Sequence, residues 1–414
     1  MTLVKSYKKS LTDPNNYRGI SIIPIFTKLL EYLFLLISPE IKKTHPLQFG
    51  FNNKSSTLHA EFVISETIQH YNNHNSPIYL CSLDAEKAFD SCNWNILFDK
   101  LYFDKNLPHQ IVNTISSLYL NSSATVFYLG FKSVSFALKQ GVRQGSILSP
   151  YLYNVYTEKL LEIIKNDNVV GTSIHGNFTG VVAYADDIIL LSSTLSGLKR
   201  MITSCSSYNN LLLSGKRQLT SYKITIDDHQ IIANEKLNQL GFTWDTQKSL
   251  FASLNRTNIN NRISKFQTTV QTLIQSGIRF VNPSSIIQLY TSLAVPTLTY
   301  GLELCENRKI TMQRLNKLGR NAVKSFFNVS KYSKNYINSL FKVREISNDI
   351  KELCKIHKLN MKNLIQDKKI VKIEISENII PEGTYQILVQ AVECWNSKQQ
   401  RTYFKNTLEE NIAK

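Results

Sequence analysis

The stretch that most restricts the fold is residues 181–192, VAYADDIILLSS, in which two apolar runs flank the adjacent aspartates Asp186 and Asp187. Short apolar runs on either side of a polar pair predict a buried β-hairpin that turns at the carboxylates. A second apolar run, IYLCSL, ends at Asp84 in the same manner. We therefore expect a mixed sheet in which carboxylates lie at the ends of buried strands.

These carboxylates have an ordinary explanation as well as a chemical one. Adjacent aspartates are frequent in turns, and a single Asp after a strand is frequent as a helix cap. An ionised carboxylate at the end of a buried strand is nevertheless costly unless a cation compensates its charge. Three such oxygen donors from neighbouring strands can hold two Mg²⁺ ions, or Mn²⁺ in their place, and support phosphoryl transfer.

The charge balance indicates a polyanionic partner. The 414 residues carry a formal net charge of +17, which favours nucleic acid over a membrane surface, although a generally basic protein is the alternative. From Arg308 to Arg344, ten residues are basic and none is acidic. Four of these basic residues recur at helical spacing: Arg314, Lys317, Arg320 and Lys324. They predict a basic helix face that follows a phosphate backbone, and a solvated face is the alternative.

Other features exclude several classes of protein. The six cysteines are scattered without a CxxC pair, which argues against a zinc site and favours reduced thiols in the nucleus or cytoplasm. The N-terminus has no long apolar core of the kind found in signal peptides. The most apolar segment, residues 20–41, is interrupted by Lys28 and Glu31 and predicts a packed helix instead of a membrane span.

The pattern along the chain predicts a mixed α/β first part and a mainly helical second part after about residue 245. Helices are expected in the segment that ends near residue 40 and over 55–75, 93–120 with a break at Pro108, 149–165 and 195–208. A strand pair is expected around Gly130, and a strand-rich section is expected to end near residue 245.

Three segments then carry a family resemblance: YLCSLDAEKAFDSCNWNIL, LKQGVRQGSILSPYLYNVYTEKL and VAYADDIILLSS. In this order and spacing they resemble motifs A, B and C of reverse transcriptases, with wording similar to the non-LTR (LINE-type) retrotransposon branch. DPNNYRGISIIPIFTKLLEYL and QFGFNNKSSTLHA are similar to finger motifs of that branch, LGFTWD to its primer grip, and AVPTLTYGLELC to part of its thumb.

The resemblance implies a right-hand polymerase of the α/β (α+β) class, with fingers, an RRM/ferredoxin-like palm and a mainly helical thumb. Fingers and palm would occupy residues 1–245, with the fingers at about 1–77 and part of 105–150, and the palm at about 78–104 and 150–245. A basic thumb and C-terminal region would occupy 246–414. The implied activity is RNA-directed DNA synthesis, with an RNA template, a DNA primer and deoxynucleoside triphosphates as partners.

The resemblance also implies roles for individual residues. The catalytic carboxylates would be Asp84, Asp186 and Asp187, which would ligate the metal ions together with the backbone carbonyl of Ala85. Phe89 would be the steric gate that crowds a ribose 2′-OH, although a core aromatic is the alternative. The remaining nucleotide contacts would be Arg18, a planar cation suited to phosphate, and the loop residues Arg143, Gln144 and Gly145.

Two departures from the family pattern qualify this interpretation. The segment after the YADD hairpin is about a dozen residues short, so that the usual lysine general acid is replaced, if at all, by Lys216 or Arg217. Upstream finger elements and an endonuclease are missing, which predicts a truncated descendant of a retrotransposon protein. Two alternatives to an active reverse transcriptase therefore remain. One is a catalytically impaired relic that only binds nucleic acid. The other is an RNA-dependent RNA polymerase, and Phe89 and the YADD motif argue against it.

Overall fold

A computed structural model describes residues 2–4, 10–52, 55–85, 87–166, 171–207, 218–219, 224–226, 229–231, 236–245, 250–305, 309–332, 338 and 342–356. The chain divides into two compact units, of which the first holds the described residues up to 231 and the second those from 236 to 356. Lys216, Arg217 and residues 357–414 lie outside the described residues.

The first unit contains, in chain order, the elements β1 (Thr2–Val4), β2 (Tyr17–Gly19), α1 (Ile25–Ile37), α2 (Thr57–Asn73), β3 (Tyr79–Asp84), α3 (Trp94–Asp99), α4 (His109–Leu120), β4 (Ser123–Ala124), β5 (Phe127–Tyr128), β6 (Phe131–Lys132), β7 (Phe136–Ala137), α5 (Ser149–Asn166), β8 (Ser173–Ile174), β9 (Asn177–Phe178), β10 (Val181–Tyr184), β11 (Asp187–Ser192), α6 (Leu195–Ser207), β12 (Gln218–Leu219), β13 (Ile224–Ile226) and β14 (His229–Ile231).

The central feature of this unit is a four-stranded sheet in the order β10-β11-β3-β12, in which every neighbouring pair is antiparallel. Helices α3 to α5 connect β3 to β10, a tight hairpin connects β10 to β11, and α6 connects β11 to β12. This βαββαβ order is that of the ferredoxin-like fold. The predicted RRM/ferredoxin-like palm is therefore confirmed.

Apolar composition explains why β3 and β11 lie at the centre of the sheet. Leu80, Cys81 and Leu83 of β3 are buried, as are residues 188–191 of β11. Strands covered on both faces have continuous apolar runs, which is the pattern of both segments. Helices α5 and α6 pack on this sheet, α5 against β10 and α6 against β11 and β3.

Local signals fix the boundaries of the surrounding helices. The Ser56 side chain caps α2 by accepting a hydrogen bond from the backbone N–H of His59. The Asn93 side chain caps α3 in the same way by accepting from the backbone N–H of Ile96. Pro108 precedes α4, as expected for a break within the predicted helix. The predicted strand pair around Gly130 forms as two nested hairpin ladders, β4 with β7 and β5 with β6.

The second unit consists of the hairpin β15–β16 and a helical cluster. Its elements are β15 (Lys236–Gln239), β16 (Phe242–Asp245), α7 (Leu250–Gln275), α8 (Pro283–Leu289), α9 (Val295–Thr299) and α10 (Lys309–Phe326), and residues 346–356 are also helical. An apolar core joins these helices, with Phe266, Tyr290, Leu298 and Phe326 almost fully buried. Among the described residues, no helix is both long and apolar enough to cross a membrane.

The hairpin belongs to this helical unit, whereas the predicted division after residue 245 placed it with the palm. The reason lies in its bonds to α7. The backbone N–H of Thr243 donates to Asn258 Oδ1 at 2.8 Å, and Arg262 donates to the carbonyl of Gly241 at 2.8 Å. The residue ranges predicted for the fingers, the palm and the thumb stay a prediction.

Candidate nucleotide and metal site

The residues predicted to be catalytic lie at the same end of two neighbouring central strands of the sheet. Asp187 is the first residue of β11, and its direct cross-strand partner is Asp84, the last residue of β3. Asp186 precedes Asp187 in the hairpin turn, and both are half-buried. The side chain of Asp84 lies outside the described part of the chain.

This juxtaposition fits a cation-binding role. Like charges directly opposite each other in a sheet are destabilising, so carboxylates in register call for a compensating positive charge. Ala85, the predicted carbonyl ligand, follows Asp84 and is buried. Among the side chains that the structure describes, no group of three His, Cys, Asp or Glu residues forms a metal site by itself. The Asp84 side chain, which would complete the set, is not among them.

The turn that carries Asp186 is held by a residue that the sequence did not single out as functional. Ala185 has a left-handed backbone with a φ of 57°. The buried side chain of Gln48 accepts from the Ala185 N–H at 2.8 Å, and its amide donates to the Ala185 carbonyl at 3.2 Å. The only sequence signal was the motif QFGF, in which Gln48 is the first residue.

The segment around Gln48 behaves as a short extra edge beside β10. Phe49 N–H donates to the Ala183 carbonyl at 2.7 Å, and Ala183 N–H donates to the Leu47 carbonyl at 2.9 Å. His45 precedes this edge, and its Nδ1 accepts from Leu47 N–H. Burial lowers the pKa of His45 to about 4, with a further contribution from the charge of Lys165, so the ring is neutral and can accept this bond near pH 7.

Phe89 lies against the start of the predicted nucleotide loop. Val142 N–H donates to the Phe89 carbonyl at 2.7 Å, and Gly141 N–H donates to the Cys92 carbonyl at 2.8 Å. The Phe89 ring is half-buried and stacks face to face on Tyr153 of α5 with a centroid distance of 5.0 Å. Phe89 is thus both a rim residue of the core and a neighbour of the loop, which fits the gate and the core alternatives alike.

The predicted finger and loop residues also lie close together. Ser21 N–H donates to the Gln144 carbonyl at 2.7 Å, three residues after Arg18, which is exposed on β2. Gly145 has a φ of 111°, and a Cβ there would lie only 2.7 Å from the Ser21 carbonyl oxygen. Only glycine combines this backbone conformation with so close an approach. The structure therefore brings the Arg18 strand and the Gln144–Gly145 loop into one site.

Arg143 makes contacts inside the protein. Its guanidinium donates to the Leu118 carbonyl and lies over the Tyr119 ring at 5.0 Å from the ring centroid. These contacts fasten the loop to the end of α4. The predicted contact of Arg143 with a phosphate or the template stays a prediction, and the observed geometry favours a packing role.

Glu31 is a second residue that sequence reasoning did not assign to the site. It is 1% exposed on α1, and its Oε2 accepts from the backbone N–H of Ile147 at 3.0 Å. A carboxylate that accepts a backbone N–H forms a stronger bond than a neutral acceptor would. Glu31 therefore holds the loop just after Gln144 and Gly145.

The four predicted basic residues of α10 do not form one exposed face. Lys317 is exposed, and Arg314 is exposed while donating to Asn260 at 3.3 Å. Arg320 Nη1 donates to both carboxylate oxygens of Glu345, at 2.9 and 3.0 Å. Lys324 is only 4% exposed and donates to the Lys331 carbonyl. Arg320 and Lys324 lie on the predicted helix face but bond to residues beyond α10, which favours a packing role for both. The predicted nucleic-acid contacts of the four residues stay a prediction.

The turn of the β15–β16 hairpin borders a cavity of about 320 Å³. Arg262 of α7 lies over the Tyr300 ring at 4.4 Å from its centroid, and the Tyr300 hydroxyl donates to the Leu240 carbonyl at 3.2 Å. These contacts fix the turn on the helices. The cavity is lined by polar and small residues together with one aromatic ring and one cation: Asn238, Gly241, Phe242, Thr243, Asn261, Ser264 and Lys265.

Comparison with known protein families identifies the family of this chain. Residues 7–213 match the family described as reverse transcriptase (RNA-dependent DNA polymerase), and the chain belongs to that family. The matched range includes all three carboxylates, Phe89 and the Gln144–Gly145 loop. The predicted resemblance to the LINE-type branch of reverse transcriptases is confirmed by its curated relatives.

One relative is the Retrovirus-related Pol polyprotein from type-2 retrotransposable element R2DM of Drosophila melanogaster, which is 25% identical over 46% of this chain and 18% of its own length. Another is the RNA-directed DNA polymerase from mobile element jockey of Drosophila melanogaster, 25% identical over 72% of this chain and 34% of its own length. The chain thus spans about a fifth to a third of these relatives.

A solved structure of telomerase from Candida albicans, in complex with a fragment of telomeric RNA, is also similar. It has a TM-score of 0.43 and 11% sequence identity, and the match covers 77% of this chain and 56% of that chain. Nothing about the site follows from a likeness of this size.

Proposed function

We propose that this chain catalyses RNA-directed DNA synthesis, in which a primer 3′-OH attacks the α-phosphate of a deoxynucleoside triphosphate paired to an RNA template. The observation that carries the proposal is the cross-strand register of Asp187 with Asp84. Neighbouring strands place these two aspartates at opposite register positions, and the adjacent turn adds Asp186. Family membership supports the same chemistry.

In this proposal Asp84, Asp186 and Asp187, with the Ala85 carbonyl, hold two Mg²⁺ ions, or Mn²⁺ in their place. When bound, the ions lower the pKa of the attacking hydroxyl and neutralise charge on the phosphates. The protein contributes mainly position, because strand residues hold their carboxylates with less freedom than loop residues do.

The nucleotide lies, in this proposal, between the exposed Arg18 and the Gln144–Gly145 loop. The hydrogen bond between Ser21 and Gln144 joins the two. The Arg18 guanidinium binds triphosphate oxygens, and Gly145 leaves room for the sugar and the template base. The Phe89 ring, supported from behind by Tyr153, excludes a 2′-OH and so selects deoxynucleotides.

The nucleic-acid duplex contacts the second unit in this proposal. Lys317 and Arg314 are the exposed members of the predicted basic face, and Lys265 borders the cavity at the hairpin turn. Cations on helices bind phosphates without reading base sequence. Binding of a polyanionic duplex would explain why the chain carries a net charge of +17.

The test is primer extension on poly(rA)/oligo(dT), with duplex binding measured in parallel by filter retention. Asp186→Asn should abolish extension and leave binding nearly unchanged, because it removes one charge from the metal site alone. Asp99→Asn, an exposed change at the end of α3, is the matched control and should leave both unchanged.

Retained extension by Asp186→Asn would overturn the metal-site assignment. Duplex binding by the unaltered chain without Mg²⁺-dependent extension would instead support the impaired, binding-only alternative. Preferential incorporation of ribonucleotides over deoxynucleotides would support the RNA polymerase alternative.

A further inference from the structure

We infer that Gln48 is a positioning residue that sets the turn of the YADD hairpin and thereby aims Asp186 at the metal ions. The inference rests on the proposed function, and concerns a residue outside the predicted site. Gln48 is 2% exposed and lies 137 positions before Ala185 in the sequence.

The first step of the argument is the conformation of the turn. Tyr184 and Asp187 are cross-strand partners, so Ala185 and Asp186 form a two-residue loop. Such loops need positive φ values and usually contain glycine or asparagine. Here Ala185 has the positive φ, of 57°, without the freedom of glycine. An alanine in this conformation is strained and requires support from its surroundings.

The second step is that Gln48 supplies this support at both polar groups of Ala185. Its Oε1 accepts from Ala185 N–H at 2.8 Å, and its Nε2 donates to the Ala185 carbonyl at 3.2 Å. A single planar amide thus satisfies both backbone groups of the strained residue. Any rotation of the Ala185 peptide groups breaks at least one of these bonds, and Asp186 is attached to the second of those groups.

The third step is that Gln48 is itself fixed. Gly50 N–H donates to the same Oε1 at 2.8 Å, and Asn52 donates to the Gln48 carbonyl. Gly50 lies so close to the turn that a Cβ there would be 2.4 Å from Ala185 N. The side chain of Asn154 donates to the Gly50 carbonyl at 3.0 Å. Because Asn154 belongs to α5, the helix that follows the nucleotide loop, one chain of hydrogen bonds links that helix to the YADD turn.

The consequence is specific to metal binding. Phe49 and Leu47 hold the β10 edge through backbone bonds, which a change of the Gln48 side chain does not remove. Loss of the Gln48 amide should therefore free the turn while the sheet remains paired. Residues that orient metal ligands typically contribute 10- to 100-fold to metal affinity or activity.

The experiment compares Gln48→Met with the unaltered protein. Methionine has a similar volume and stays buried but forms neither bond. Binding of Mn²⁺, followed by electron paramagnetic resonance on the full chain with primer–template, should weaken on the order of 10- to 100-fold. Hydrogen exchange of the peptide that covers residues 184–188 should accelerate, whereas duplex affinity should stay unchanged. Gln110→Met, an exposed change on α4, is the matched control and should alter none of these quantities.

Unchanged Mn²⁺ affinity and unchanged exchange at 184–188 in Gln48→Met would overturn the inference. If exchange accelerates throughout the first unit, Gln48→Asn decides, since it keeps the amide but is one methylene too short to make both bonds. It should show the local effect, and normal Mn²⁺ affinity in that variant would refute the positioning role. Asp186→Asn separates this inference from the proposed function, because unchanged Mn²⁺ affinity there refutes the metal site itself.

Discussion

Replacement of Gly145 by alanine tests whether the finger strand and the nucleotide loop form one site. At a φ of 111°, with the new Cβ 2.7 Å from the Ser21 carbonyl oxygen, alanine requires both a strained backbone and a displaced neighbour. An ordinary contact begins at 3.4 Å, so the strand or the loop must move by about 0.7 Å. The hydrogen bond from Ser21 to Gln144, now 2.7 Å long, is the first contact to be lost.

The magnitude follows from two contributions. A non-glycine residue in a left-handed conformation costs about 1–2 kcal/mol. Loss of the Ser21–Gln144 hydrogen bond adds about 1 kcal/mol. The free energy of unfolding should therefore fall by about 2–3 kcal/mol in urea. The KM for the deoxynucleotide should rise on the order of tenfold or more, because the loop no longer lies beside the strand of Arg18.

Gly130→Ala is the matched control for this experiment. Gly130 also has a positive φ, of 85°, but a Cβ there meets no atom within 4 Å. This variant should show only the backbone cost of about 1–2 kcal/mol and an unchanged KM. Equal losses of stability in the two variants, or an unchanged KM in Gly145→Ala, would show that the contact with Ser21 does not hold the loop.

Two further predictions concern selectivity and duplex binding. Phe89→Leu should raise the incorporation of ribonucleotides relative to deoxynucleotides in primer extension. Tyr153→Phe, which keeps the stacked ring, is the control and should leave this ratio unchanged. An unchanged ratio in Phe89→Leu would assign the ring to the core alone. Lys317→Gln should lower the slope of log Kd for the duplex against log salt by about 0.9. Lys324→Gln should leave that slope unchanged and lower the melting temperature, because Lys324 is buried, and a reduced slope there would contradict its position.

Much of the local structure could be predicted from the sequence because its signals are local. The apolar run before Asp84 and the two runs around Asp186 and Asp187 predict strands, and the structure has strands there. Pro108 marks the start of α4 because proline cannot continue a helix interior. The order of three short motifs was sufficient to identify the family, because each motif specifies both an element and its terminal side chains.

The sequence was least informative where distant segments decide the outcome. Helical spacing correctly places the α10 bases on a helix, yet it contains no information on which segment covers that helix. Glu345 and Lys331 lie beyond the helix in sequence. They accept hydrogen bonds from Arg320 and Lys324, respectively. In the same way, the hairpin β15–β16 reads as a continuation of the palm, but Asn258 and Arg262 bind it to α7.

The sequence by itself determined the central strands, the main helices, the positions of the carboxylates and the family, because periodicity and motif order depend on neighbours along the chain. Only the tertiary structure decided that Asp187 lies opposite Asp84, and that Gln48 and Glu31 hold the two loops of the site. Glutamine and buried glutamate have no distinctive pattern of their own. Their roles arise from backbone groups more than 100 residues away, which pair with them only after the chain has folded.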